Sequence, residues 1–247
     1  MSVEFSAVTY AYGRRMPCVL DSLNYQVPRG FTLLLGPNGA GKSTALRLAA
    51  GVFRPTSGEV RLGRLTSSSR AYLRQVAWMP QNITAMSGLT AREQVAYTGW
   101  LKGMNRSDAW ETAATALARV RLTDQEDIKT RRLSGGQLRR VGVASALVHG
   151  ATVLLLDEPT AGLDPAQRRI FRDLIRSLAS DDVSVLMSTH DVSDLAEEAN
   201  HVTTLYQGAV VHSGTPTEFL NCAPPNTPES RRAEAAYAQL TEAALVY

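Results

Sequence analysis

The sequence predicts an α/β fold: a mainly parallel sheet with helices on both faces, an antiparallel β region at the N-terminal end, and an inserted helical subdomain. Three observations predict it. Short apolar runs of strand type (FTLLL, TVLLLD, VSVLMST) are separated by segments of helix type. That alternation builds a parallel sheet covered on both faces. The first 35 residues instead turn back in the manner of hairpins, and from about residue 86 to 149 the texture is mostly helical.

Taken in order, SVEFSAVTYAYG and LDSLNYQVPRG carry β-branched and aromatic residues punctuated by Gly and Pro, so they read as strands. FTLLL (Phe31 to Leu35) is a buried strand. The segment ALRLAAG reads as a helix closed by Gly51. FRPTSGEVRLGR reads as a loop and hairpin, and AYLRQVAWMPQN as a stretch ending in a strand over Val76 to Met79. Thr90 and Glu93 have capping-box spacing, which opens a helix that closes at Gly103. SDAWETAATALARV is a second helix with Ser107 as its expected N-cap. After residue 149 the alternation resumes: strand TVLLLD, helix PAQRRIFRDLIRSLAS, strand VSVLMST, helix VSDLAEEAN, then a terminal hairpin HVTTLYQGAVVHSG. A proline-rich hinge, NCAPPNTPES, leads to an alanine-rich helix over Glu229 to Ala244. The expected organisation is therefore 1–85 for the β region and the first part of the core, 86–149 for the helical subdomain, 150–220 for the second part of the core, and 221–247 for a tail.

Composition narrows the function. At 247 residues and 44% hydrophobic content the chain can bury a sizeable core. A net charge of only +3 does not call for nucleic acid as a partner. Cys18 and Cys222 are far apart and lack metal-type spacing, so a disulfide framework or a zinc site is not expected. The N-terminus lacks the pattern of a secretory signal, and the apolar runs fall short of the roughly 18–20 residues that span a bilayer. Lysine occurs only at 42, 102 and 129, so Lys42 inside a glycine loop stands out.

That loop, GPNGAGKST (Gly36 to Thr44), fits G-x-x-x-x-G-K-[ST] between a strand and a helix. Gly36, Gly39 and Gly41 let backbone N–H groups turn in around phosphates, Lys42 reaches their outer oxygens, and Ser43 offers a hydroxyl to Mg²⁺. A P-loop NTPase core follows. VLLLDEPTAGLD (Val153 to Asp164) then sets two acids at the end of a buried strand, where open α/β sheets bind ligands. Asp157 suits Mg²⁺, and Glu158 suits the attacking water. Gln81 and His190 also end expected strands. Gln81 is placed to reach Mg²⁺ or the water and His190 the γ-phosphate, while Asp164 sits in the turn after Glu158. Tyr12 either stacks on a base or packs on the sheet. LSGGQ (Leu133, Ser134, Gly135, Gly136, Gln137) is a second anion-ready loop ahead of a helix. Its flanking Arg131, Arg132, Arg139 and Arg140 read as a solvated helix face, with steering of an interface as the alternative.

In this order and spacing the motifs resemble the nucleotide-binding subunit of ATP-binding cassette (ABC) transporters, over residues of about 3 to 220. GPNGAGKST resembles Walker A with Gly36, Asn38, Gly39, Gly41, Lys42, Ser43 and Thr44 on ATP; VLLLDEP resembles Walker B; AGLD, with Asp164, the D-loop; Gln81 the Q-loop; His190 the switch histidine; and LSGGQ the signature. The resemblance implies Mg²⁺-dependent ATP hydrolysis with Glu158, His190, Gln81 and Asp164 as catalytic residues, and Ser43, Gln81 and Asp157 around the metal. It also implies a head-to-tail pair of cassettes in which each signature loop faces the partner's ATP. A separate integral-membrane permease chain would dock on residues 82–102, at the cytoplasmic face of the cell membrane. The segments LSGGQLRRVGVASALV, DEPTAGLDPAQRR and STHDVSDLAEEA look most like bacterial exporter cassettes. An importer cassette and a non-transport ABC ATPase are the alternatives. A GTPase is disfavoured, because no N-K-x-D motif is present.

Overall fold

Three apolar runs become the buried centre of a six-stranded sheet: β3 (Phe31–Leu35), β7 (Val153–Asp157) and β8 (Ser184–Thr189). In the computed structural model, which describes residues 2–180, 183–192 and 199–243, every residue of β3 and β7 is buried. β6 (Val76–Met79), β9 (His201–Tyr206) and β10 (Ala209–Gly214) complete the sheet in the order β10-β9-β3-β8-β7-β6. All neighbours run parallel except β10, which returns antiparallel along β9.

Side chains of one strand feed two different cores, as a period of two requires. Phe31, Leu33 and Leu35 pack with the helices α3 (Ala91–Leu101), α4 (Arg106–Arg119), α5 (Gly135–Leu147) and α6 (Pro165–Ser180), through residues such as Val95, Leu117, Val141 and Phe171. Leu34 faces the other way, onto α1 (Lys42–Ala49) and the second sheet. That sheet is antiparallel, in the order β2-β1-β4-β5, from β1 (Val3–Tyr10), β2 (Leu20–Gln26), β4 (Ser57–Leu62) and β5 (Leu65–Thr66). Each fully buried leucine contributes about 1.5–3 kcal/mol. The two-faced burial of β3 and β7 therefore makes this sheet the rigid platform of the molecule.

The capping box opens α3 as its spacing implies: Thr90 Oγ1 accepts from Glu93 N while Glu93 Oε2 accepts from Thr90 N. Elsewhere the structure differs. The N-cap of α4 is Asn105, whose side chain accepts from Asp108 N, so Ser107 lies inside the helix. Asn is at least as good a cap as Ser, and it stands two residues earlier. A short helix, α2 (Arg70–Gln75), precedes β6 where only a strand approach was expected. Ser69 caps it, and Tyr72 is buried with its hydroxyl donating to Ala49 O at 2.6 Å. A five-residue helix, α7 (Pro216–Leu220), follows the hairpin on a Thr215–Glu218 capping box. In the tail, α8 (Arg232–Ala243) packs against α7, β9 and β10 and buries Ala236. The expected helix VSDLAEEAN falls largely on residues 193–198, outside the described residues. Among the described residues no helix is long and apolar enough to cross a membrane.

Register fixes what meets at the rim. Leu35 pairs with Thr189, Asp157 with Ser188 and Met79 with Leu156. The residues leaving β3, β8, β7 and β6 therefore emerge side by side at one edge of the sheet.

Candidate active site

The loop after β3 is shaped by glycine. A Cβ on Gly36 would lie 2.3 Å from Leu205 O, and Gly39 and Gly41 hold φ of 85° and 101°. Gly41 is the N-cap of α1 and brings no side chain to it. Among the described residues the first N–H groups of that helix therefore have no side-chain cap, and its dipole points at the same place. Lys42 is 5% exposed and donates to Gly36 O (2.7 Å) and Pro37 O (3.1 Å). Burial lowers its pKa, while Glu158 and Asp157 pull it back up. A buried ammonium beside uncapped N–H groups is a receptor for an anion with several oxygens. Tyr12, half exposed, bonds Thr44 Oγ1 through its hydroxyl at 2.9 Å and sets its ring edge-on against Tyr10 and Phe53. A flat aromatic surface thus stands beside the phosphate loop.

Asp157 ends β7, 3% exposed, and its Oδ1 accepts from Ser43 Oγ (2.8 Å) and Ser188 Oγ (2.9 Å). Glu158 follows in the left-handed region at φ 44°. That conformation costs a non-glycine residue about 1–2 kcal/mol. Its N–H donates to Ser188 Oγ at 3.0 Å. Its carboxylate gathers three partners: Lys42 Nζ at 3.6 Å, Gln81 Nε2 at 3.3 Å and His190 Nδ1 at 3.2 Å. Three separate segments thus converge on one carboxylate. Beside Glu158 and His190 opens a cavity of about 110 Å³, also lined by Thr160 and Arg168, which is room for water.

Two groups of motif residues stand apart from this convergence. Asp164 is exposed and accepts from Gln167 N at 2.8 Å, capping α6. No hydrogen bond or ion pair among the described residues joins it to Glu158. The signature loop is closed by its own capping box: Gln137 N donates to Ser134 Oγ and Ser134 N to Gln137 Oε1. Leu133 packs on the core, and Gly136 is buried with Gln167 Oε1 2.3 Å from where a Cβ would sit. Ser134 and Gly135 face outward, and a Cβ on Gly135 would meet nothing within 4 Å. Among the described residues no hydrogen bond or ion pair joins them to Lys42, Asp157 or Glu158.

The reading of four solvated arginines holds for Arg131 and Arg132, which are exposed, and fails for the other two. Arg139 donates to the carbonyls of Glu158 (3.3 Å), Pro159 (2.6 Å) and Ala161 (2.5 Å). Arg140 donates to those of Val120 (3.2 Å) and Arg121 (2.9 Å). Burial lowers both guanidinium pKa values. Their planar forks close carbonyls that end other segments, a role that charge spacing does not reveal. Ser188 was also missed. Its signal is a hydroxyl inside an apolar strand, two positions before the histidine that follows the strand.

The ABC transporter family model matches residues 20–161, more than half of the chain. Cobalt import ATP-binding protein CbiO of Rhodobacter capsulatus is 38% identical over 222 residues, covering 87% of this chain and 79% of that protein. Nod factor export ATP-binding protein I of Paraburkholderia xenovorans is 32% identical over 222 residues, covering 89% and 72%. The dimeric structure of a post-hydrolysis state of an ATP-binding cassette, bound to ADP and Pi, has a TM-score of 0.74 at 26% identity and covers 87% of this chain and 98% of that one. A match of that extent, laid over a phosphate loop, two strand-end acids and an outward-facing signature, makes this chain a member of the ABC transporter family, an ABC-type ATPase subunit built on the P-loop cassette fold.

Proposed function

We propose that the chain hydrolyses ATP between two cassettes and passes the resulting movement to a membrane permease. The observation that supports this best is the division just described. Glu158 gathers Lys42, Gln81 and His190 within one chain, whereas Ser134 and Gly135 face outward and, among the described residues, no hydrogen bond or ion pair joins them to that cluster. A second copy, packed head to tail, brings its signature loop to this chain's phosphate loop. The Ser134 oxygen is occupied as an acceptor, which leaves its O–H to donate to a phosphate. The α5 N-terminus adds its positive dipole end.

Within each half, Gly36, Asn38, Gly39, Gly41, Lys42 and Thr44 hold the phosphates, and the exposed face of Tyr12 takes the base. Ser43 Oγ and Asp157 Oδ1, 2.8 Å apart, form a hard-oxygen pair that fits Mg²⁺, with Gln81 at the same rim. When bound, Mg²⁺ neutralises charge on the β- and γ-phosphates. Glu158 orients or deprotonates the attacking water, His190 holds the γ-phosphate side, and Asp164 acts from the turn that meets the partner. Glu158→Gln should lower turnover by roughly 10²- to 10⁴-fold while ATP binding and an ATP-dependent dimer persist. Normal hydrolysis, or a monomer at saturating ATP, would sink the assignment.

The permease site would be the groove of about 1090 Å³ beside α3 and α4, lined by Leu89, Glu93, Tyr97, Trp100, Arg106 and Trp110. Exposed Tyr97, Trp100, Leu101 and Trp110 form an apolar surface of the kind that marks an interface. Gln94 ties α3 to the loop that follows Gln81: its side chain accepts from Met86 N and donates to Thr84 O. Movement of α3 therefore reaches the catalytic rim. On this reading the subunit works at the cytoplasmic face of the membrane.

Export is our first reading of direction, on the resemblance of the signature, Walker B and switch segments to exporter cassettes. Import is the second, since the cobalt import relative shares 38% identity and the export relative 32%. The neighbouring genes separate them. A permease without a solute-binding protein fits export, and a binding protein beside it overturns that direction.

A further inference from the structure

Glu158 is pinned at both of its backbone groups. Its N–H donates to Ser188 Oγ at 3.0 Å, from β8, and its carbonyl accepts from Arg139 Nη1 at 3.3 Å, from α5. The same guanidinium closes Pro159 O and Ala161 O, so it spans the whole turn that follows the acid. The same Ser188 hydroxyl donates to Asp157 Oδ1, so one side chain spaces both strand-end acids. Ser188 is fully buried opposite Asp157 in the strand register and cannot wander. Between these two anchors lies a residue at φ 44°, a conformation that a glutamate does not hold unaided. Relaxing it toward the ordinary right-handed or extended regions would swing the carboxylate away from Lys42, Gln81 and His190.

Resting on the reading of Glu158 as the group that acts on water, we infer that Ser188 and Arg139 are positioning residues that hold Glu158 in its reactive conformation. Neither is placed to touch the reacting atoms; each acts through the backbone of Glu158. Arg139 stands on α5 just past the Ser134–Gln137 capping box. One arm of this clamp therefore rides on the helix that carries the signature loop, and a shift of that helix tilts the catalytic turn.

Arg139→Met keeps the side-chain stem and removes the donors. In the full-length chain it should lower kcat by roughly 10- to 100-fold, as a displacement near 1 Å does. The Kd for ATP, measured separately, should stay within about twofold. Arg139→Lys, which reaches one carbonyl at a time, should recover part of the rate. In the double variant Arg139→Met/Glu158→Gln the residual rate should equal that of Glu158→Gln alone, because Arg139 has no separate path to the reaction. An unchanged kcat in Arg139→Met with Glu158→Gln inactive overturns the clamp alone. Additive losses in the double variant, or ATP affinity and thermal stability falling in step with kcat, also overturn it, since those mark a purely structural role. Glu158→Gln turning over at the parent rate overturns the underlying reading and the clamp with it. Where Arg139→Met does not fold, Arg139→Lys decides: reduced kcat at unchanged Kd supports the clamp, and the parent kcat overturns it.

Discussion

The two anion-ready loops of this chain solve the same problem in opposite ways. At Gly36–Thr44 the helix begins on a left-handed glycine with no side-chain cap, a lysine is buried beneath it, and a Cβ at Gly36 would strike backbone. At Leu133–Gln137 the helix begins on Ser134, and Gln137 closes the box from the other side. The first loop is left chemically unfinished and enclosed, so it stays incomplete until an anion fills it. The second is satisfied by its own side chains and exposed, so it is stable alone and has to be brought to a ligand held elsewhere. An open helix end makes a container, whereas a capped one makes a contact surface.

Substitutions can break this contrast. The largest effect is expected at Lys42. Lys42→Ala should weaken ATP binding by roughly 30- to 5000-fold, the 2–5 kcal/mol lost when a buried charge partner is truncated. Ser134→Arg should leave one ATP bound per chain and abolish hydrolysis. Equilibrium binding beside a turnover assay reads both, and loss of ATP binding in Ser134→Arg would place the two loops on one nucleotide in one chain. Next comes Gly41→Ala, which forces a Cβ into φ 101° and to 3.0 Å from Leu20 Cδ2. It should lower stability by about 1–3 kcal/mol in a denaturant titration. A neutral result would mean that the loop readjusts freely. Ser134→Ala removes a cap and should cost about 1 kcal/mol. Smallest is Gly135→Ala, where open space awaits the methyl group. Stability should hold or rise by a few tenths of a kcal/mol, while turnover falls because the added carbon meets the partner's nucleotide. Undiminished turnover in a stable Gly135→Ala would show that nothing approaches that face closely.

Much of the contrast was readable in the sequence, for a physical reason. Lys42, Asp157 and the LSGGQ run are local motifs whose geometry depends on residues a few positions away. Continuous apolar runs such as VLLL declare strands buried on both faces. What was not readable depends on strand order and on side-chain reach. Ser188 meets Asp157 only because β8 lies beside β7 in that register. Arg139 looked like one of four surface charges, since its three carbonyl partners lie about twenty residues downstream on another segment. The short helix α2 escaped because six residues hold too little periodicity, and Tyr72 sits where a strand approach would also place an aromatic. Asn105 replaced Ser107 as a cap because two good capping residues stand two positions apart.

The left-handed backbone at position 158 has an evolutionary consequence. Glycine or asparagine would occupy φ 44° more comfortably than glutamate does, so replacing the acid eases the backbone while it strips buried Lys42 of its counter-charge and disables the chemistry. Selection for activity then maintains a backbone conformation that the acid itself does not favour. Once a gene duplication frees one copy from turning over ATP, the eased backbone offsets part of the ion pair lost with the acid. A descendant of this chain could lose its acid, keep its phosphate loop and dimerise with an active sister, and the two halves of the assembly would diverge.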